Sequence, residues 1–400
     1  VNKWLLFIIC SMFFLTGCWD RKEIEERATI LGLAIDIAED EEEQSSITHP
    51  DDIQIPTSNI GNIKVTAQLA VPGQIPLGPS QGESGSSSQD KVWVVEGVGH
   101  TMDDAIQALQ QQLAHKVFFG QLQVVILSEN VAEKGINHIN EFLRRRPEIR
   151  RTAWMAVNEN NAAKTMRAAP KLERIPAIYL STVFEEAVRM GKLPNCDLGT
   201  FWVGTSNIGQ DGFLPYITVK SKENIEISGL AFFSNSKMAG KTQPYQIAYA
   251  NELIGNNPGG AVGLIKLDEE KAIMFQSTNR SAKYEVSLKN GRPEFNVNVR
   301  IKGIIREKNT NKLKIDDEKT LAHIEKVATA QLEKEYRRLI EETKEKRSDI
   351  FGFGEYVRGE LPAYWDQEIK TTAKWKELYK DLKVHVKANV KIEGVGLKAS

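Results

Sequence analysis

Cysteine is scarce in this 400-residue sequence, with only Cys10, Cys18 and Cys196 present. The first two fall in an apolar N-terminal stretch. Cys196 stands alone in the rest of the chain, so no internal disulfide can staple its body, and a lone cysteine reads as a small buried hydrophobe. The six histidines (His49, His100, His115, His138, His323 and His385) show no metal-ligand spacing such as H-E-x-x-H, and no C-x-x-C pair exists. The sequence therefore predicts no metal and no cofactor. Basic excess is missing as well: 52 Lys and Arg face 53 Asp and Glu, a net charge of −1, which argues against nucleic acid as a partner. There is no Walker loop, and the G-x-S-x-G match at Gly78-Pro79-Ser80-Gln81-Gly82 falls inside the serine- and glycine-rich stretch, without the strand before it and helix after it that a nucleophile elbow needs. Gly97-Val98-Gly99 follows a predicted strand and precedes a helix, but the dinucleotide fingerprint needs a third glycine where Met102 stands. An ordinary tight turn is the better reading there, with anion binding at the helix start as the alternative. After residue 19 no apolar run reaches membrane-spanning length.

What is present begins with VNKWLLFIICSMFFLTGCW. Lys3 gives a positive start, Trp4 to Leu15 is apolar apart from Ser11, and small residues lead into Cys18. This order makes a secretory signal peptide. Leu15-Thr16-Gly17-Cys18 is similar to the bacterial lipoprotein motif, in which a thiol just outside the membrane accepts a diacylglycerol and a peptidase cuts before it. Twelve residues at 1.5 Å each reach about 18 Å, well short of a ~30 Å hydrocarbon core, so an uncleaved membrane helix is disfavoured. The expectation is a leader over residues 1–17, lipid attachment at Cys18, and the remainder outside the cytoplasm. That remainder is long enough for two or three domains.

Along the chain, residues 29–37 and 63–71 read as strands, the second by its period-two alternation. Residues 73–90 are rich in serine and glycine and read as a disordered loop inside the first domain. A strand over 91–96 follows, then a helix capped by Thr101 with Met102, Ile106, Leu109 and Leu113 on one face. Strands over 122–127 and 152–157 alternate with short helices, which implies crossover units and a partly parallel sheet. A helix over 176–190 stops at Gly191. Residues 192–211 read as loop, 225–233 as the start of a second region, and 237–240 as a turn. Three strands run through 272–306 with a hairpin turn at Lys289-Asn290-Gly291. A long helix spans about 319–346, with Leu321, Ile324, Ala328, Leu332 and Leu339 as its buried stripe. A helix near 364–379 and an alternating strand close the chain. The predicted fold class is α+β or mixed α/β, with an N-terminal α/β domain over 18–200, a middle domain over 201–270 and a C-terminal β-α-β domain over 271–400.

Four stretches, in order, resemble a known family: GCWDRKEIEERATILGLAID (17–36), GQLQVVILSENVAEKG with EFLRRRPEIR (120–150), GLAFFSNSKMAG (229–240), and DIFGFGEYVRGELPAYW followed by VHVKANVKIEGVG (349–396). Together they are similar to the Ger(x)C family, the lipoprotein C subunits of spore germinant receptors. The serine-rich stretch over 80–89 departs from that pattern. The resemblance implies three domains of mixed sheets flanked by helices, on the outer face of the spore inner membrane. It also implies a non-enzymatic role in nutrient-triggered germination, with two polytopic membrane subunits, A and B, as partners. It transfers a role to one residue only, Cys18. A solute-binding lipoprotein feeding a transporter and a tethered hydrolase are the rivals; the first calls for two similar lobes and the second for a nucleophile or metal signature.

Two local features ask for a structural test. Arg144, Arg145, Arg146, Arg150 and Arg151 form the strongest positive cluster, readable either as a solvated helix end or as a patch for an acidic surface. FGFGEYVR reads as a bent joint after the long helix. Gly352 and Gly354 would supply unusual backbone angles, Phe351 and Phe353 would be buried beneath it, and Glu355 would sit in a helical first turn rather than act in catalysis.

Overall fold

The computed structural model describes residues 26–39, 48, 61–71, 92–168, 173, 175–221, 224–255, 257–315 and 317–395. The expected leader, Cys18 and the expected loop over 73–90 lie outside the described residues.

The first sheet has nine strands: β1 (Arg27–Ile37), β2 (Ile63–Ala70), β3 (Val92–Gly99), β4 (Lys116–Phe118), β5 (Val124–Ser128), β6 (Trp154–Asn158), β7 (Phe213–Ser221), β8 (Asn224–Ser234) and β9 (Lys237–Lys241). Their order is β3-β2-β1-β5-β6-β7-β8-β9, with β4 beside β1. The centre is parallel (β1-β5-β6-β7) and both flanks are antiparallel. Strands covered on both faces are apolar without alternation, and β1 and β5 show it, with every residue between Ala28 and Asp36 and all of VVILS buried. On one face lie α1 (Met102–Gln110), α2 (Glu129–Lys134), α3 (Asn137–Arg144) and α5 (Leu198–Ser206), which contribute Met102, Leu109, Val131, Leu143 and Phe201 to one core. The opposite face is covered by α4 (Pro176–Arg189) and a 3₁₀ turn (Ala162–Arg167) through Met166, Leu180 and Phe184.

The second sheet has five strands: β10 (Asn257–Pro258), β11 (Val262–Lys266), β12 (Ala272–Lys289), β13 (Arg292–Lys308) and β14 (Lys383–Gly394). Its order is β10-β12-β13-β14, with β11 beside β12. Asn290 (φ 50°) and Gly291 (φ 75°) make the expected hairpin turn, since both central residues of this turn need positive φ. β14 returns parallel to β13 after a long crossover. That crossover contains α7 (Glu318–Glu345), α8 (Phe353–Glu360), α9 (Pro362–Tyr364), a π-helical turn (Trp365–Ile369) and α10 (Thr372–Lys380). α7 buries Ile324, Ala328, Leu332, Tyr336 and Leu339. It also closes the edge of β14: Glu325, Thr329 and Glu333, one turn apart, accept the N–H groups of Ile392, Val390 and Ala388. An open strand edge invites pairing, and these side chains occupy it. α6 (Gln246–Ile254) lies between the sheets in sequence, and one continuous core runs from Phe184 and Phe213 through Ile247 to Phe295 and Phe353.

Several local expectations change. Residues 237–240 are strand; the turn is at Asn235 and Ser236, both at positive φ. The segment 192–211 holds α5, hidden in the sequence because Gly199, Gly204 and two threonines lower its helix propensity, while Asp197 caps it by accepting the Thr200 N–H. The two strands expected within 272–289 are one strand with bulges, and the helix expected over 364–379 breaks at Lys370 (φ 61°). β7 to β9 extend the first sheet, so the strands on either side of residue 200 share one hydrogen-bonded layer.

Candidate functional site: the joint around Asp349

The FGFG stretch is the point where both sheets and the last helix meet. Gly352 adopts φ 75°, a left-handed angle that favours glycine, and it turns the chain from α7 into α8. Gly354 is needed for a different reason than backbone angle. A Cβ there would lie 2.5 Å from the Gly209 carbonyl oxygen and 2.6 Å from the Trp375 ring, so two backbones pass too closely for any side chain. Phe353 is fully buried among Phe295 of β13, Tyr284 of β12, Phe351 and Tyr379 of α10, with ring centroids 4.8, 5.4, 5.8 and 6.2 Å away.

Asp349 organises the polar side of the joint. One carboxylate oxygen accepts the N–H groups of Gly352 and Phe353, at 2.9 and 3.1 Å; the other accepts Gly354 N–H at 2.9 Å and the Trp375 indole N–H at 3.1 Å. Asp211, just before β7, exchanges two hydrogen bonds with it: its N–H donates to the Asp349 carbonyl and its carboxylate accepts the Asp349 N–H. Lys376 of α10 pairs with Asp211 at 2.8 Å and donates to Ser234 at the end of β8. Ser348 donates to the Phe233 carbonyl, and Glu355 in the first turn of α8 accepts the Gly209 N–H while pairing with Arg358. Burial pushes the Asp349 carboxyl up to about 7, against the N–H donors that favour its charged form. Burial likewise raises Asp211, against the opposing pull of Lys376. Every oxygen of Asp349 is committed to N–H groups of its own chain, so this cluster holds a bend and fastens the first sheet to the last helix.

A second buried acid sits nearby in the fold. Glu252 of α6 accepts the Tyr336 hydroxyl at 2.7 Å, and burial pushes its carboxyl up to about 7. Arg280 of β12, also buried, donates to the Gly191 carbonyl, which Asn251 shares. Asp36, in the first of the four stretches, spends its carboxylate on the N–H groups of Ala162 and Ala163. Asp36 thus acts on backbone and Glu252 on a tyrosine hydroxyl.

The remaining sequence candidates are placed as follows. Cys18 lies outside the described residues. Cys196 is buried and free, its Sγ 3.1 Å from the Pro194 carbonyl oxygen, and burial pushes its thiol well up. The first three residues of the arginine cluster are engaged internally. Arg144 lies over Trp202 and donates to the Trp202 carbonyl, Arg145 pairs with Glu141, and Arg146 pairs with Asp103 and lies over Phe142. The solvated helix end is thus the better account. Gly97 and Gly99 end β3 rather than form a turn; a Cβ on either would meet the α1 backbone at 2.4–2.5 Å. The α1 start is filled by its own residues, with Thr101 accepting Asp104 N–H and Asp104 accepting His100 N–H. Among the described residues no group of three or more His, Cys, Asp or Glu is placed to hold a metal, and no helix is long and apolar enough to cross a membrane. The sequence reading reached Phe351, Phe353 and Glu355. It missed Asp211, Trp375 and Lys376. Asp349 itself carried a signal, an acid three residues before a glycine turn; its partner Asp211, 138 positions away, carried none.

Comparison with known proteins gives consistent matches along the whole length. A family model described as the spore germination protein N-terminal domain matches residues 20–219, and one described as spore germination B3/GerAC like, C-terminal, matches residues 228–396. The Bacillus subtilis (strain 168) spore germination protein KC is 26% identical over 100% of this chain and 97% of its own. Spore germination protein GerQC of Bacillus cereus is 24% identical over 99% of each chain. Among solved structures, the crystal structure of the GerBC protein superposes with a TM-score of 0.55 at 19% identity, covering 85% of this chain and 96% of that one, and so shares the mixed α/β fold.

Proposed function

Since the chain belongs to the spore germination GerAC-like family, we propose that it is the non-enzymatic lipoprotein subunit of a nutrient germinant receptor. In this reading it is held by a diacylglycerol on Cys18 at the outer face of the spore inner membrane and acts with two polytopic membrane subunits. The observation that carries the reading is the pair of family models meeting in order across residues 20–219 and 228–396. The chemistry supports it: the most buried carboxylates, Asp36, Asp349 and Glu252, are spent on backbone and tyrosine donors, as suits a scaffold. A solute-binding lipoprotein finds no support, since a single nine-stranded sheet beside a five-stranded one is not a pair of similar lobes.

The test is deletion of the gene and complementation, with tagged protein recovered from spore membranes. Loss of the response to at least one nutrient, restored by the wild-type chain, together with co-purification of two multi-span proteins, is expected. Normal germination with every nutrient, or recovery of a transporter ATPase in place of those two proteins, would reject the assignment.

A further inference from the structure

The second sheet has one face under α7 and one face in solvent. Strand register places the outward positions side by side: Lys283, Asn298 and Lys387 in one row, Ser281, Arg300 and Asn389 in the next, Lys302 and Lys391 in a third. Arg300, Lys302, Lys387 and Lys391 are exposed, as is Lys283. Against these five cations stand Glu285, paired with Lys283, Glu393, paired with Lys302, and Glu325 at the β14 edge, paired with Lys391, while Glu294 nearer the hairpin pairs with Lys289 and Lys383. Arg300 and Lys387 have no ion-pair partner among the described residues. Around them Ser281, Asn298 and Asn389 line an open trough of ≈ 470 Å³. This is a local basic field on a chain whose net charge is only −1.

At its far end the same face turns apolar. Val262 lies opposite Gln276, and Gln276 opposite Ile304; Leu264 lies opposite Met274. Leu264 is 63% exposed and Val262 39%, two of the nine exposed large hydrophobics among the described residues. Single exposed apolar residues need no explanation, but an exposed pair bordering a net-positive field on the same sheet face marks an interaction surface.

We propose that this outward face of β11-β12-β13-β14 rests on an anionic phospholipid surface, with Leu264 and Val262 entering the headgroup boundary and Arg300 and Lys387, the two cations without an ion pair, over the phosphates. Basic residues flanking small apolar ones on one face are the composition that binds such an interface. The choice of a membrane over an acidic protein rests on the Cys18 tether proposed above. Only residues 19–26 separate Cys18 from β1, a reach of at most about 30 Å, so the tether would hold the chain beside a bilayer, where weak contacts suffice.

The test uses the full chain purified from membranes and reconstituted into vesicles of phosphatidylcholine alone, or with phosphatidylglycerol, each carrying lipid-borne bromine quenchers. An environment-sensitive dye is placed by Leu264→Cys, with His138→Cys, also exposed, as the reference site; Cys196 is buried and stays unlabelled. Quenching at position 264 is expected in the anionic vesicles only. It should fall by roughly half or more at 1 M salt, where the screening length is about 3 Å, and in the double variant Arg300→Glu/Lys387→Glu, whose melting midpoint should stay unchanged. Position 138 should show none of this. Equal quenching in both vesicle types would overturn the proposal, as would dye protection appearing only when membrane subunits are present, which would assign the face to an acidic protein. Flotation with neutral vesicles reads the tether separately: a chain that fails to float indicts the anchor, and one that floats without anionic quenching at 264 indicts this face alone.

Discussion

Phe353→Ala is the sharpest perturbation of the joint. The ring is completely buried, and four other aromatic rings surround it at 4.8–6.2 Å. Neighbours from β12, β13 and α10 are fixed by their own sheet or helix and cannot collapse inward, so the cavity would persist. Truncation of a buried Phe costs about 3–5 kcal/mol. The lost aromatic contacts, each about 0.5–1.5 kcal/mol beyond area, favour the upper end. Against a typical domain stability of about 5–15 kcal/mol that is a large share, and it corresponds to a fall of about 6–15 °C in melting midpoint. Tyr356→Ala provides the comparison. Tyr356 is 41% exposed and stacks on Tyr284 at 4.7 Å, so its loss should cost only about 1 kcal/mol. Circular-dichroism melting of both variants, with immunoblots of spore membranes, tests the reasoning. The Phe353 variant should melt early and be scarce, with germination weak in proportion. A normal midpoint and normal abundance, with germination lost, would refute this account and make the motif a docking surface.

Further outcomes are expected. Gly354→Ala should destabilise despite alanine's better helix propensity, because its Cβ meets the Gly209 carbonyl oxygen at 2.5 Å; Gly359→Ala, in the same helix with open space around it, should leave the midpoint unchanged or raise it, by up to about 1 kcal/mol of stability, in the same melting assay. Asp349 and Glu252 have native carboxyls pushed up to about 7 from ordinary values near 4, so the native state holds protons that the unfolded chain has released. Stability from these groups is therefore full below about pH 4 and is lost as pH rises towards 7, with a limit of about 1.4 kcal/mol per pH unit for each group. Urea unfolding at pH 5.5 and pH 8 should show a lower midpoint at pH 8, with Glu252→Gln flattening the slope; a higher midpoint at pH 8 would contradict this. Cys18→Ala should leave the precursor unprocessed or shed it from membranes, and an unlipidated N-terminal peptide from wild-type membranes that begins before Cys18 would refute the anchor. Chelator and reductant should leave the melting midpoint of the chain unchanged, and a large drop with either would expose a ligand or thiol role unaccounted for.

The sequence by itself determined whatever is written in local pattern. Period-two and unbroken apolar runs gave β1, β2, β5 and β14, and the 3.6-residue stripe of Ile324, Ala328 and Leu332 gave α7 within a residue at each end. Asn290-Gly291 gave the hairpin, because few other residues accept positive φ in succession. The four ordered stretches gave the family. Tertiary structure alone decided how distant pieces meet. α5 exists because Asp197 caps it and the sheet buries Phe201, against the low helix propensity of its own residues. Arg144 and Arg146 read in the sequence as a solvated helix end or a binding patch, with the helix end favoured, and only the fold places them over Trp202 and Phe142. The Asp349 joint depends on Asp211, Trp375 and Lys376, which no spacing links to it. Side-chain periodicity reports which face of an element is buried, and never what buries it. A buried carboxylate must find donors from whatever backbone the fold brings near, so its partners are set by packing and not by neighbours in the chain.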